Sequence, residues 1–262
     1  TGGNNVAISR SALLRNTTGA DNVAIGADTL GTNTTGWSNN AIGPGALYSN
    51  TTGNHNQALG AYALWTNTTG CYNTGIGLYA LHGSLSGSHN FAAGQCALYG
   101  NWGGNRNTAI GYYAMFENTT GFDNTAIGCK ALCSNTEGLY NTAIGNGALR
   151  CNTTGSSNNA LGNTALKANT TGGNNTAMGS EALLANTTAS DNTAIGRRAL
   201  NKNITGCNNN AMGYYSLACN ISGHYNTAIG QCSLYSNWGG CYNTAIGCGN
   251  LRQNTTGRSN LA

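Results

Sequence analysis

The chain has 262 residues, among them 40 Gly, 42 Asn and a single Pro, and only 7% of its residues are charged. Leu, Ile, Val and Phe number 39 together, a share in the range often read as disorder, but a net charge of only +4 and the strict register of the apolar positions argue against that reading. Lys and Arg form no run beyond Arg197-Arg198, which argues against a nucleic-acid partner, and no apolar run nears bilayer-spanning length, so no membrane insertion is expected.

From Asn5 onward, Asn recurs at every seventeenth position as far as Asn260. The unit reads N-T-A-I-G-x-x-A-L-x-x-N-T-T-G-x-x, and its positions are numbered as columns 1 to 17. Such fixed self-similarity marks a solenoid or fibre. A helix–turn–helix unit needs about 34 residues, and Gly in columns 5 and 15 would each cost a helix about 1 kcal/mol. The expectation is an all-β fold, a parallel β-solenoid (β-roll) with one 17-residue coil per unit. About fifteen coils, stacked at about 4.8 Å, would give one continuous rod of roughly 70 Å over 1–262, with no second domain. The chain starts at Thr1 and stops at Ala262 in mid-repeat, and is read as a window from a longer protein.

Column 4 supplies Ile8, Ile25, Ile42, Ile110, Ile127, Ile144, Ile195, Ile229 and Ile246, with Leu or Met in most other coils and Ala93 as the exception. This is the expected core ladder, joined by the Leu of column 9. Columns 3 and 8 are almost always Ala. Neighbouring residues on a strand point to opposite faces, so the Ala of column 3 and the Ile of column 4 cannot share one lumen. Strands with two such faces are usually covered on both sides. The second face then calls for a partner, most simply identical chains side by side as a trimer or filament bundle. The alternative is that Ala is only a small, tolerated outward residue.

Columns 6, 7, 10, 11, 16 and 17 vary freely and read as solvent-facing corners. They carry Tyr62 and Tyr79, Tyr112-Tyr113, Tyr214-Tyr215, Trp37 and Trp65, while Trp102 and Trp238 fall in column 13. Such rings either shield the coil or form a stripe for sugar or fibre contact. Column 12 holds Asn16, Asn33, Asn50, Asn67, Asn118, Asn152, Asn169, Asn186, Asn203, Asn220 and Asn254 in the glycosylation acceptor pattern, with Asn174 off-column. These are either acceptors on the surface or an amide ladder from coil to coil. Thr of column 13 gives way to Leu85, Trp102, Ile204, Ile221 and Trp238, which suggests that column 13 packs inward and column 12 faces out. Asn101, Asn135 and Asn237 lose the acceptor pattern yet keep Asn, which favours the ladder. The ranks of Thr also raise ice binding, but adjacent Thr point opposite ways and both columns are interrupted.

Of ten Cys, Cys133 with Cys151 and Cys232 with Cys248 lie one coil apart and one column off, the two candidate disulfides. Cys129-x3-Cys133 lacks a second half, so no metal is expected. The acids do not pair, and no Ser has a His–Asp constellation. Neither enzyme activity nor a cofactor is expected. Above the coil period, QCALYGNWGGNRNTAIG (95–111) matches QCSLYSNWGGCYNTAIG (231–247) at an offset of 136, an eight-coil super-repeat.

The N-x-A-I-G box, NVAIG at 22–26 and NTAIG at 124–128 and 226–230, resembles the head repeats of trimeric autotransporter adhesins. It is also similar to repeats of phage and bacterial tail fibres. The adhesin resemblance implies a left-handed parallel β-roll wound as a homotrimer, displayed outside the cell and used for attachment. The present unit is longer, so three short sides per coil are as compatible as two. The expected function is an extracellular fibre shaft or adhesin stalk, on a cell surface, appendage or virion, with itself as partner and a cell-surface glycan as candidate ligand. The alternatives are an ice-binding solenoid and a carbohydrate-binding module built on corner aromatics.

Overall fold

The computed structural model describes residues 2–262. The chain divides into two compact units, Thr1–Lys130 with Ser134–Glu137, and Ala131–Cys133 with Gly138–Ala262. Among the described residues there are fifteen three-residue strands, one per coil, and no helix. The first unit holds β1 (Val6–Ile8), β2 (Val23–Ile25), β3 (Asn40–Ile42), β4 (Gln57–Leu59), β5 (Thr74–Ile76), β6 (Phe91–Ala93), β7 (Thr108–Ile110) and β8 (Thr125–Ile127). The second holds β9 (Thr142–Ile144), β10 (Asn159–Leu161), β11 (Thr176–Met178), β12 (Thr193–Ile195), β13 (Asn210–Met212), β14 (Thr227–Ile229) and β15 (Thr244–Ile246). Within each unit, successive strands pair in parallel with like columns opposite, as in Ala41↔Ala58 and Ala194↔Ala211. Each unit is therefore a parallel β-solenoid.

Only columns 2–4 form strands; the rest of the coil is turn, yet it bonds from layer to layer as a sheet does. Leu30 N–H donates to Ala46 O at 3.1 Å, Thr32 N–H to Tyr48 O at 3.1 Å and Thr34 N–H to Thr51 O at 3.0 Å, all in the following coil. Gly43 and Gly45 donate the other way, to Ile25 O and Ala27 O of the preceding coil. Because backbone donors must find acceptors somewhere, this stacking fixes the 17-residue step more firmly than the short strands alone could.

Two asparagine columns line the interior. In column 1, Asn39 directs its amide nitrogen to Asn22 Oδ1 (3.1 Å) and Gly53 O (2.9 Å), while Asn22 Oδ1 also accepts the Asn39 backbone N–H (3.0 Å). That side chain thus replaces a missing backbone acceptor, which explains why column 1 never varies. In column 12, Asn50 Nδ2 bonds Asn33 Oδ1 (2.8 Å) and Gly53 O (3.0 Å). The ladder is broken once: Ser84 stands in column 12, and Asn67 Oδ1 and Ser84 Oγ are buried without a protein partner.

The apolar filling is Ala in columns 3 and 8 and Leu or Met in column 9, most of it wholly buried. Column 9 sits in the left-handed backbone region, with φ between 48° and 54°. That conformation costs an L-residue about 1–2 kcal/mol, which full burial of a leucine side chain, about 1.5–3 kcal/mol, offsets. Column 5 explains its glycines directly: at them φ lies between 121° and 137°, against 102° at Ser9, and a Cβ on Gly213 would come within 2.6 Å of Gly230 O.

The expected core ladder is corrected here. Ile8, Ile25, Ile42, Ile110, Ile127, Ile144, Ile195, Ile229 and Ile246 do stand one above another within each unit, but on the outside of the sheet. Ile110 is 38% exposed and Ile246 56%, whereas Ala109 and Ala245 are fully buried. The reason is room. At Gly75, which replaces Ala in column 3, an added Cβ would already touch Leu64 Cγ at 3.5 Å. A lumen holding one Leu and two Asn per coil admits a methyl group at column 3 and nothing larger.

Candidate functional surfaces

Columns 2 and 4 of every strand point away from the lumen and together form the outer face of each sheet. None of the fifteen strands places a charged residue there. Column 4 is an exposed line of Ile, Leu and Met, and column 2 is chiefly Thr with Asn, Gln and Val. β6 alone reverses the sizes, with Phe91 in column 2 (37% exposed) and Ala93 in column 4.

The corners carry stacked rings because like columns repeat at the layer spacing. In column 10, Tyr48 lies on Trp65 (centroids 4.6 Å, 14° between planes), His82 on Tyr99 (4.9 Å, 2°) and Tyr99 on Phe116 (5.1 Å, 16°). In column 17, His55, Tyr72 and His89 stack at 4.8 and 4.9 Å. Tyr62 and Tyr79 stack in column 7 at 5.3 Å. These rings turn their faces to one another and present edges to solvent. Burial between Trp65 and Tyr99 lowers the His82 pKa from its ordinary value. Column neighbours also form ion pairs. Arg106 grips Asp123 through two bonds of 2.7 and 2.9 Å, and its hydrogen bonding holds that carboxyl below the usual range. Arg198 does the same to Glu181 at 2.7 Å and also reaches Tyr215 Oη.

The column 12 asparagines are inside, not outside. Asn33, Asn50, Asn67, Asn118, Asn152, Asn169, Asn186, Asn203 and Asn220 are fully buried, Asn16 and Asn254 are half-buried, and Asn174 is exposed in its corner column. Asn118 Nδ2 is engaged by Asn101 Oδ1 (2.7 Å) and Gly121 O (2.9 Å). The folded coil has no room for a sugar on such a nitrogen. Column 13 is the outward neighbour. Its Thr hydroxyls donate to the next coil's carbonyl, as Thr34 Oγ1 does to Thr51 O at 3.0 Å, so they present no rank of free hydroxyl hydrogens. Trp102 and Trp238 project from this column, 61% and 56% exposed.

No disulfide joins Cys133 to Cys151 or Cys232 to Cys248. Successive columns send their side chains in different directions: Cys248 in column 6 is exposed, while column 7 holds half-buried Cys232 and, in another coil, buried Cys96. Among the described residues no group of three or more His, Cys, Asp or Glu could hold a metal ion. Compared with known proteins, the chain matches no family model and no curated sequence.

Proposed function

We propose that this chain is a structural, extracellular fibre shaft or adhesin stalk that self-associates, as a homotrimer, through the outer faces of its sheets. The observation that carries the reading is the uncharged face of columns 2 and 4, with Ile, Leu and Met exposed along it in both units. Soluble monomers rarely expose a contiguous apolar patch of that kind, and loss of charge marks the buried centre of an interface. Identical chains are the simplest occupant, because each layer of one copy then meets a layer of matching chemistry and cyclic symmetry closes the contact. The size reversal in β6 fits this: with copies in coil register around an axis, column 2 of one adjoins column 4 of the next, and Phe91 fills the space beside Ala93 of its neighbour. The extracellular setting rests on the resemblance of the N-x-A-I-G box to adhesin head repeats.

Sedimentation of the intact chain tests assembly, with an Ile110→Asp, Ile127→Asp variant as the contrast. A trimer that dissociates on substitution while its circular dichroism stays β-type supports the reading. A chain that sediments as a monomer at every concentration overturns it. The register is tested with Phe91→Cys and Ala93→Cys: under mild oxidation a covalent trimer should form only when both are present.

A further inference from the structure

Trp102 stands apart from the stacked rings of column 10. Tyr48, Trp65, His82, Tyr99 and Phe116 have their faces covered by a neighbour in the stack, whereas among the described residues Trp102 makes no ring contact and leaves its indole open. Beside it lies a cleft of about 260 Å³, lined by Tyr99, Gly100, Trp102, Phe116, Glu117 and Thr119. The hollow follows from the sequence. Column 11 carries Gly83 and Gly100 in succession, so two neighbouring coils lack a side chain there. A Cβ built on Gly83 would lie 3.7 Å from Trp102 Cδ1, and one on Gly100 would lie 3.2 Å from Phe116 O. Glu117 is exposed on the rim and, among the described residues, takes part in none of the three ion pairs.

We infer that this cleft binds a neutral pyranose, with the C–H face of the sugar on the Trp102 indole and its hydroxyls donating to the Glu117 carboxylate. The chemistry of the walls selects the class. Tyr99 and Phe116 are mated face to face, so they offer the cleft their ring edges, which carry the positive end of the aromatic quadrupole. Edges of that sign suit the oxygen lone pairs of a sugar, while the open Trp102 face and the Glu117 carboxylate make a small cation the competing ligand that the test must separate. The Thr119 hydroxyl already donates to Thr136 O at 2.9 Å and so meets the ligand as an acceptor. An apolar slot with a few convergent polar groups is the usual form of a small-ligand site.

The super-repeat supplies an internal control. Trp238 recurs with Tyr235, but Ser236, Arg252 and Gln253 stand where the first block has Gly100, Phe116 and Glu117. The Arg252 guanidinium lies 5.8 Å over the Tyr235 ring. Both the floor and the carboxylate are gone, so this second tryptophan does not take the same ligand. None of the six cleft residues belongs to columns 2 or 4, so the inference stands whether or not copies of the chain assemble.

Saturation-transfer NMR on the intact chain tests it, with methyl glucopyranoside, methyl galactopyranoside and methyl mannopyranoside as probes and tetramethylammonium as the cationic contrast. At least one pyranoside should show transfer to the ring protons of a single face. Trp102→Thr restores the ordinary column 13 residue and so keeps the coil intact; it should weaken binding about tenfold or more, the loss expected for removing one stacking ring. Gly100→Leu should fill the floor with the same effect, and Trp238→Thr should change nothing. Transfer to none of the three sugars, transfer that survives Trp102→Thr, or binding of tetramethylammonium alone would each overturn the inference.

Discussion

Ser84→Asn should make the protein more stable. Column 12 is an amide ladder in which each Asn Nδ2 donates to the Asn Oδ1 one coil earlier and to the glycine carbonyl three residues on, as Asn118 does to Asn101 (2.7 Å) and Gly121 (2.9 Å). At Ser84 the ladder stops, leaving Asn67 Oδ1 and Ser84 Oγ buried without a protein partner. Both flanking residues, Asn67 and Asn101, fit with no exposed surface, so the lumen has the width for Asn there. The new side chain would donate to Asn67 Oδ1 and Gly87 O and accept from Asn101 Nδ2. Three bonds at about 1 kcal/mol net each, less about 1 kcal/mol for ordering the longer side chain, leave roughly 2 kcal/mol. In a chain of this size that is a midpoint rise of about 4–8 °C. Calorimetry of the two proteins gives the shift, and slower amide exchange over 81–87 would locate it. An unchanged or lower midpoint in a folded variant would refute the ladder account.

Asn209→Leu should do the reverse. It removes the Oδ1 that accepts the buried Asn226 backbone N–H at 3.0 Å, together with the amide's bonds to Asn192 (3.2 Å) and Gly223 (2.8 Å). Gly223 O keeps Asn220 Nδ2, so the orphans are the Asn226 backbone N–H and one hydrogen of its Nδ2, which keeps only Gly240 O, and exchange of that backbone N–H should quicken about a hundredfold for a loss of about 3 kcal/mol. Gly213→Ala forces a Cβ to 2.6 Å from Gly230 O at φ 135° and should lower the midpoint by at least as much, read by thermal unfolding. His82, its pKa lowered by burial, binds its proton more readily unfolded than folded. Its share of stability is therefore present above the unfolded value of about 6.5 and lost as pH falls below it. His82→Phe should remove that acid sensitivity from the denaturation midpoint, and NMR should find the imidazole titrating low. Arg106→Ala should raise the Asp123 carboxyl toward its ordinary range, read from its carbon shift.

The period, the parallel register and the absence of helix were legible in the sequence, because a 17-residue step with Gly in fixed columns leaves few other folds open. Inside and outside were not. Hydrophobicity ranks Ile above Ala and Asn, so column 4 reads as core, whereas the coil encloses a lumen too narrow for it. Substitution tolerance carried the better signal: column 4 varies among Ile, Leu, Met and Ala, while column 1 never departs from Asn. Likewise Asn101, Asn135 and Asn237 keep their Asn without the acceptor pattern, which suits a ladder partner and has no use for a surface acceptor. Trp102 and Trp238 misled for a related reason. A bulky residue in the Thr column looked inward-packing, yet both project into solvent, Trp102 beside a pair of glycines whose effect only three dimensions reveal.

Since every layer offers the next the same amides and carbonyls, the backbone alone cannot tell one floor of the stack from another. A folding chain that skipped a whole turn would recover nearly all of its main-chain bonding. What would betray the slip lies at the corners, where Glu181 must find Arg198, Arg106 must find Asp123, and Tyr48 must find Trp65. These irregular side chains serve as floor numbers for an otherwise uniform staircase, and erasing them should yield misthreaded molecules well before it yields unfolded ones.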